Sequence, residues 1–154
     1  MQDFRNLNVW QLARRLTKTI YQLTINFPES EEFGLKAQMR RATVSICSNI
    51  AEGCGRRGDR EFRRFLDVAM GSACELECET ILSFDLAFIT EIVHDTILAS
   101  VVEIKRMLGG LIGSLTCGPA GRRRVRIQDK ETPLDRERRA DAREPKAGRS
   151  TADS

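Results

Sequence analysis

QMRRATVSICSNIAEGCGRRGDREF, Gln38–Phe62, is the stretch that decides the fold. Met39, Ala42 and Ile46 recur at steps of three and four, and Leu35 precedes them by four, so one apolar stripe runs along a helix. The same spacing next lands on Asn49, a polar residue on an apolar seam, with Ser45 one turn before it. Gly53 then stops the run as a C′ cap. After the turn GCGRRG, Asp59 stands where a negative charge suits the positive end of a new helix.

Outward from this stretch, three more seams appear. Val9, Ala13, Leu16, Ile20, Leu23 and Phe27 precede it, and Pro28 ends them because the residue before proline avoids helical dihedrals. Phe62, Leu66, Ala69, Ala73, Leu76 and Thr80 follow it, widened by Phe65, Met70 and Phe84. Val93, Ile97, Val101, Ile104, Leu108, Leu111 and Leu115 form the last. No proline falls between Pro28 and Pro119, and no strand-like alternation competes. The expected fold is all-α: an antiparallel up-down-up-down four-helix bundle over residues 1–116.

From residue 117 the character changes. The 38 residues 117–154 carry 11 Lys and Arg against 7 Asp and Glu, a balance of +4, and almost no large apolar side chains. Such a segment cannot bury enough surface to offset chain ordering, so a disordered charged tail is expected, led by the basic cluster Arg122–Arg126. Residues 1–116 balance to −1, so any basic face on the bundle must be local. No stretch has the apolar length of a membrane span, and the opening MQDFRNLNVW lacks a secretory pattern. Five cysteines without a small-domain spacing then fit reduced thiols, and a cytoplasmic location is expected.

The basic residues Lys36, Arg40, Arg41, Arg56, Arg57, Arg60, Arg63 and Arg64 face only Glu52, Asp59 and Glu61 within their span, a balance of +5. Lys36 and Arg40 are four apart, as are Arg60 and Arg64; like charges at that spacing repel mildly unless something anionic faces them. A phosphate backbone would serve, and so would acids on a neighbouring helix such as Glu75 and Glu79. The glycine-rich turn could aim backbone N–H groups at phosphate, or could simply be a tight connection. It lacks the Lys-Ser/Thr pair of a nucleotide-binding loop, which argues against NTPase activity.

Asn49, with Ser45, reads either as a register-setting polar pair in an oligomer or as a group bonded within its own bundle. Cys74 and Cys78 are four apart on one helix, but a structural zinc wants four ligands and the sole histidine, His94, falls on another helix. No metal, cofactor or catalytic residue is expected, and His94 reads as a surface residue. Trp10 and Phe4 read as packing rather than base-stacking groups.

FRNLNVWQLA, QMRRATVSICSNIAEG and GRRGDREFRRFLDVAMGSACELE occur in order, and together they resemble the four helix bundle protein family. Its founding members are encoded in intervening sequences of bacterial 23S rRNA genes. The likeness spans about residues 4–115. It implies a four-helix bundle that assembles into a homopentamer. It also points to a structural relative, the accessory variability determinant of diversity-generating retroelements, whose pentameric barrel binds nucleic acid and a reverse transcriptase. Cys47 stands where the family usually has proline, which should leave the second helix straighter. Cys54 and Gly58 stand where serine is expected, and Gly58 gives up an N-cap hydroxyl.

Two functions follow as expectations. One is a non-enzymatic homo-oligomer that binds RNA or DNA through the arginine-rich face, with the tail adding electrostatic affinity. The other is a protein-interaction scaffold whose arginines serve subunit or partner-protein interfaces.

Overall fold

In the computed structural model, residues 3–116 are described. They form four α-helices: α1 Asn8–Leu23, α2 Leu35–Gly55, α3 Asp59–Asp85 and α4 Glu91–Thr116. No strand occurs among the described residues. The expected disordered tail, with Arg122–Arg126, lies outside them.

Cross-helix contacts run in reversed order, which makes successive helices antiparallel. Thr17 on α1 meets Thr43 and Cys47 on α2, while the later Tyr21 and Thr24 meet the earlier Arg40. Between α2 and α3, Ser45 bonds Ser72, and Met39 meets Ser83. Between α3 and α4, Glu77 bonds Lys105, and Phe84 packs on His94. This is the up-down-up-down order.

The core follows the seams closely. Val9, Ala13, Leu16, Ile20, Phe27, Met39, Ala42, Ile46, Leu66, Ala69, Ala73, Leu76, Ile97, Val101, Ile104 and Leu108 are all buried. One seam differs from its reading: Ile50, not Asn49, is buried after Ile46, and Asn49 is half-buried on the flank toward α3. Both residues satisfy helical spacing from Ile46, so the apolar side chain takes the core position. Leu7, Thr24 and Thr43 are also buried. Thr24 earns no apolar reading from sequence, yet its hydroxyl is satisfied by donating to Ile20 O at 2.8 Å.

The links explain where each helix stops. α1 ends in a 3-10 turn over Thr24–Asn26, after which Phe27 is extended, as Pro28 requires. Phe27 then packs on Phe88 of the α3–α4 link, ring centroids 5.5 Å apart, joining two loops at one end of the bundle.

Gly53 is not the cap expected of it. It lies buried inside α2, which continues to Gly55. A Cβ there would stand 2.9 Å from Phe62 Cδ2 and 3.0 Å from Phe65 Cβ, so the glycine lets α2 and α3 approach closely. The conformational need falls on Gly58, whose φ of +89° suits glycine. A serine at that position would trade a capping hydroxyl for a strained backbone, so the departure from the family pattern fits the geometry. α2 is continuous through Cys47, whose backbone N–H keeps the helix unbroken as expected from the sequence.

Candidate nucleic-acid interface

A helix rises about 1.5 Å per residue, so the 20 residues from Lys36 to Arg56 separate them by about 30 Å along α2. The eight basic candidates therefore form two groups. Lys36, Arg40 and Arg41 lie near the start of α2, beside the end of α3. Arg56, Arg57, Arg60, Arg63 and Arg64 surround the α2–α3 turn at the opposite end.

Two of the first group, Lys36 and Arg40, are engaged within the fold. Lys36 is ion-paired with Glu32. Arg40 donates through Nε to Thr24 Oγ1 at 2.8 Å, and its guanidinium stacks over Tyr21 at 4.8 Å. Arg40 thus clamps the α1 terminus onto α2. Arg41 is exposed and its charge acts on Glu79 of α3.

Glu79 is the most unusual ionisable group here. Its Oε2 is buried without a hydrogen-bond partner. Burial first, and then the neighbouring Glu75, push its pKa up to about 7, against the opposing pull of Arg41. Of the acids on α3, Glu79, expected as a partner for the arginines, is half-sheltered beside Arg41, whereas Glu77 bonds Lys105 at 2.6 Å.

The second group is freer. Arg56 is paired with Glu52 and stacks over Phe65 at 5.2 Å. Arg63–Asp67 and Arg64–Glu61 are both exposed pairs at 3.8 Å, an arrangement worth at most about 1 kcal/mol each. Arg57 and Arg60 are exposed and have no hydrogen bond or ion pair within the described residues. They flank the first turn of α3, whose N-terminus has no side-chain cap.

Cutting each helix at its midpoint makes the asymmetry plain. One half, residues 3–15, 46–72 and 104–116, carries 10 Lys and Arg against 5 acids, a balance of +5. The other half, residues 16–45 and 73–103, carries 4 against 10, a balance of −6. A bundle that is nearly neutral as a whole is thus strongly polar along its axis. The large apolar side chains with the greatest exposure also gather at the acidic end: Phe33 at 93%, Ile92 at 80% and Ile25 at 68%.

Ser45 and Asn49 come together with Ser72. Ser45 Oγ and Ser72 Oγ are 2.8 Å apart, and Asn49 Nδ2 donates to Ser45 O at 2.8 Å and Ser45 Oγ at 3.1 Å. This polar ladder tacks α2 to α3 in one chain. His94 is half-buried rather than a plain surface residue: its ring lies 4.7 Å from Phe84, and Nδ1 is 3.0 Å from Asp95 Oδ1. Trp10 packs edge-on against Phe4 at 4.8 Å. No cluster of three or more metal-binding side chains exists among the described residues, and no helix among them is long and apolar enough to cross a membrane.

Residues 5–110 match the model of the 23S rRNA-intervening sequence protein family. The chain belongs to that family. A crystal structure of a protein of unknown function from the S23 ribosomal protein family, from Bacteroides thetaiotaomicron VPI-5482, is similar to it at 26% identity and a TM-score of 0.62. That likeness covers 68% of this chain and 97% of the other. No curated protein matches. The arginine-rich turn, Arg56 to Arg64, lies within the matched span.

Proposed function

We propose that the protein is a non-enzymatic, cytoplasmic homo-oligomer that binds RNA or DNA through the arginine end of its bundle. The observation that carries this reading is the pair Arg57 and Arg60. They are exposed and unpaired within the described residues, and they sit at the uncapped start of α3 in the half of charge +5. Free guanidinium groups beside open helix N–H groups suit phosphate oxygens. Arg63 and Arg64 join them by exchanging weak exposed pairs for phosphate contacts, whereas Arg56, ion-paired with Glu52 and stacked over Phe65, is held much as Arg40 is. Lys36 and Arg40 are left out of the site, because both are held by neighbours of their own.

The number of subunits, five, rests on the family resemblance. Assembly would repeat the arginine end in each copy and raise a weak contact by avidity. In such an assembly Asn49 would offer its Oδ1 to a neighbour, a reading supported by its half-burial and by hydrogen bonds only from Nδ2 within the described residues.

The deciding experiment measures binding of a labelled generic RNA and a matching DNA to the full chain at low and near-physiological salt, with Arg57→Glu/Arg60→Glu beside the wild type. Affinity should fall steeply with salt, and the double variant should bind at least about tenfold more weakly. A folded double variant that binds as well as the wild type would sink the assignment.

A second reading has its own support. The exposed Phe33, Ile92 and Ile25 at the acidic end are the kind of side chains a protein partner covers. On that reading the bundle is an interaction scaffold, and the arginine variant would instead change the oligomer or partner capture, with light scattering as the readout.

A further inference from the structure

Outside the arginine end, the most distinctive unassigned chemistry lies on α3. Cys74 and Cys78 are both exposed and reduced, one helical turn apart on the outer face of the helix. Gly71, a turn before Cys74, has no side chain, and a Cβ added there would meet nothing within 4 Å. Lys105, held by Glu77 at 2.6 Å, reaches across from α4 close enough to interact with Cys74. The other two described thiols differ: Cys47 is half-buried and Cys54 buried, and burial pushes both thiols up from their ordinary range.

Residues four apart on a helix hold their Cβ atoms about 5–6 Å apart. A disulfide needs about 3.5–4.5 Å, so a direct bond between these two sulfurs would distort the helix. A bridge through one intervening soft atom is longer, with two bonds of roughly 2.3 Å in the case of zinc thiolates. It fits where the disulfide does not. With no third metal-binding side chain gathered beside them in the described residues, the pair offers two donors and selects ligands that need two.

We infer that Cys74 and Cys78 form a two-thiol binding site for a soft thiophilic centre, of which a monosubstituted trivalent arsenical is the simplest example. With phenylarsine oxide the step balances. Two sulfur–arsenic bonds form, the arsenic–oxygen bond breaks, and the two thiol protons leave with the oxygen as water. No electron is transferred, so no oxidant or reductant is needed. The inference is independent of the nucleic-acid reading, because both thiols lie apart from Arg57 and Arg60 along α3.

The test adds phenylarsine oxide to the reduced full-length protein, following adduct mass and remaining free thiols. One equivalent should bind and remove two thiols, and a dithiol should release it where a monothiol at the same concentration does not. Cys74→Ser and Cys78→Ser should each weaken binding at least about tenfold, the loss of a chelate. Cys47→Ser, Cys54→Ser and Cys117→Ser should bind like the wild type. Because both target residues are exposed, their serine variants are expected to keep the wild-type circular dichroism. Retained tight binding in the Cys78→Ser variant, dependence on Cys117, or no adduct at all would overturn the assignment.

Discussion

The two ends of this bundle are built from the same four helices and differ in nearly everything else. At the α2–α3 turn, charge is positive, side chains are mostly polar, and every arginine but Arg56 stands in a weak pair or none. At the opposite end, charge is negative, Phe33 and Ile92 face solvent, and the basic residues Lys36 and Arg40 are bound within the fold. The difference teaches that an arginine's availability, not its presence, marks a binding surface. Each guanidinium costs little to leave in water, but one already hydrogen-bonded and stacked must give up those contacts before it can hold phosphate.

The strongest way to break the contrast is to remove the joint that gathers the arginines. Gly53→Val would drive a branched side chain into Phe62 and Phe65, which already crowd the glycine's missing Cβ at 2.9 and 3.0 Å. Helix propensity gains a few tenths of a kcal/mol at most from this change. Overpacking should outweigh it, for a net loss of about 2–3 kcal/mol by urea unfolding. The same variant should weaken nucleic-acid binding, since α2 and α3 can no longer meet at that distance.

Next in size is charge reversal at the free arginines. Arg57→Glu/Arg60→Glu should cost at least about tenfold in affinity at low salt. It should also reduce the magnitude of the slope of log affinity against log salt by about 2 on duplex DNA, as two phosphate contacts are lost. Stability should move by less than about 0.5 kcal/mol, because both side chains are exposed and neither makes a hydrogen bond or ion pair with another described residue.

Arg40→Ala sharpens the comparison from the other side. It removes the hydrogen bond to Thr24 and the stacking on Tyr21, so stability should fall by about 1–2 kcal/mol. Binding by the folded protein should not change. A variant that kept its stability and lost binding would show that the acidic end carries nucleic acid.

The architecture was legible because each seam repeats at helical spacing and proline is absent where helices run. Its finer register was not always so. From Ile46 both Asn49 and Ile50 satisfy a helical step, and periodicity alone cannot choose between them. Burial chooses, since the core accepts the apolar residue and leaves Asn49 to bond Ser45. Gly53 read as a stop because glycine often is one; its role depends on two phenylalanines on the next helix. The basic set read as one patch because residues close in sequence were pooled. A helix converts 20 residues into about 30 Å, and it was that rise, not the residue types, that divided the site.

The smallest expected effect tests the acidic end through Glu79. Its folded-state pKa of about 7 lies above the ordinary 4.5, so the native state holds a proton that the unfolded chain has already released over that interval. Stability therefore falls as pH rises from about 4.5 to about 7, then levels once both states are ionised. The raised pKa marks a cost of charging a buried oxygen with no partner, against which Arg41 helps only in part. Glu79→Gln removes that charge while keeping the side chain's size. Because the group is only half-sheltered, solvent screening should hold the gain to about 1 kcal/mol at pH 8, with almost none at pH 4.5. Urea unfolding of wild type and variant at both pH values separates the outcomes. A pH-independent difference would assign the effect to packing, whereas a gain confined to the higher pH would mark Glu79 as a charge this end of the bundle bears at a loss.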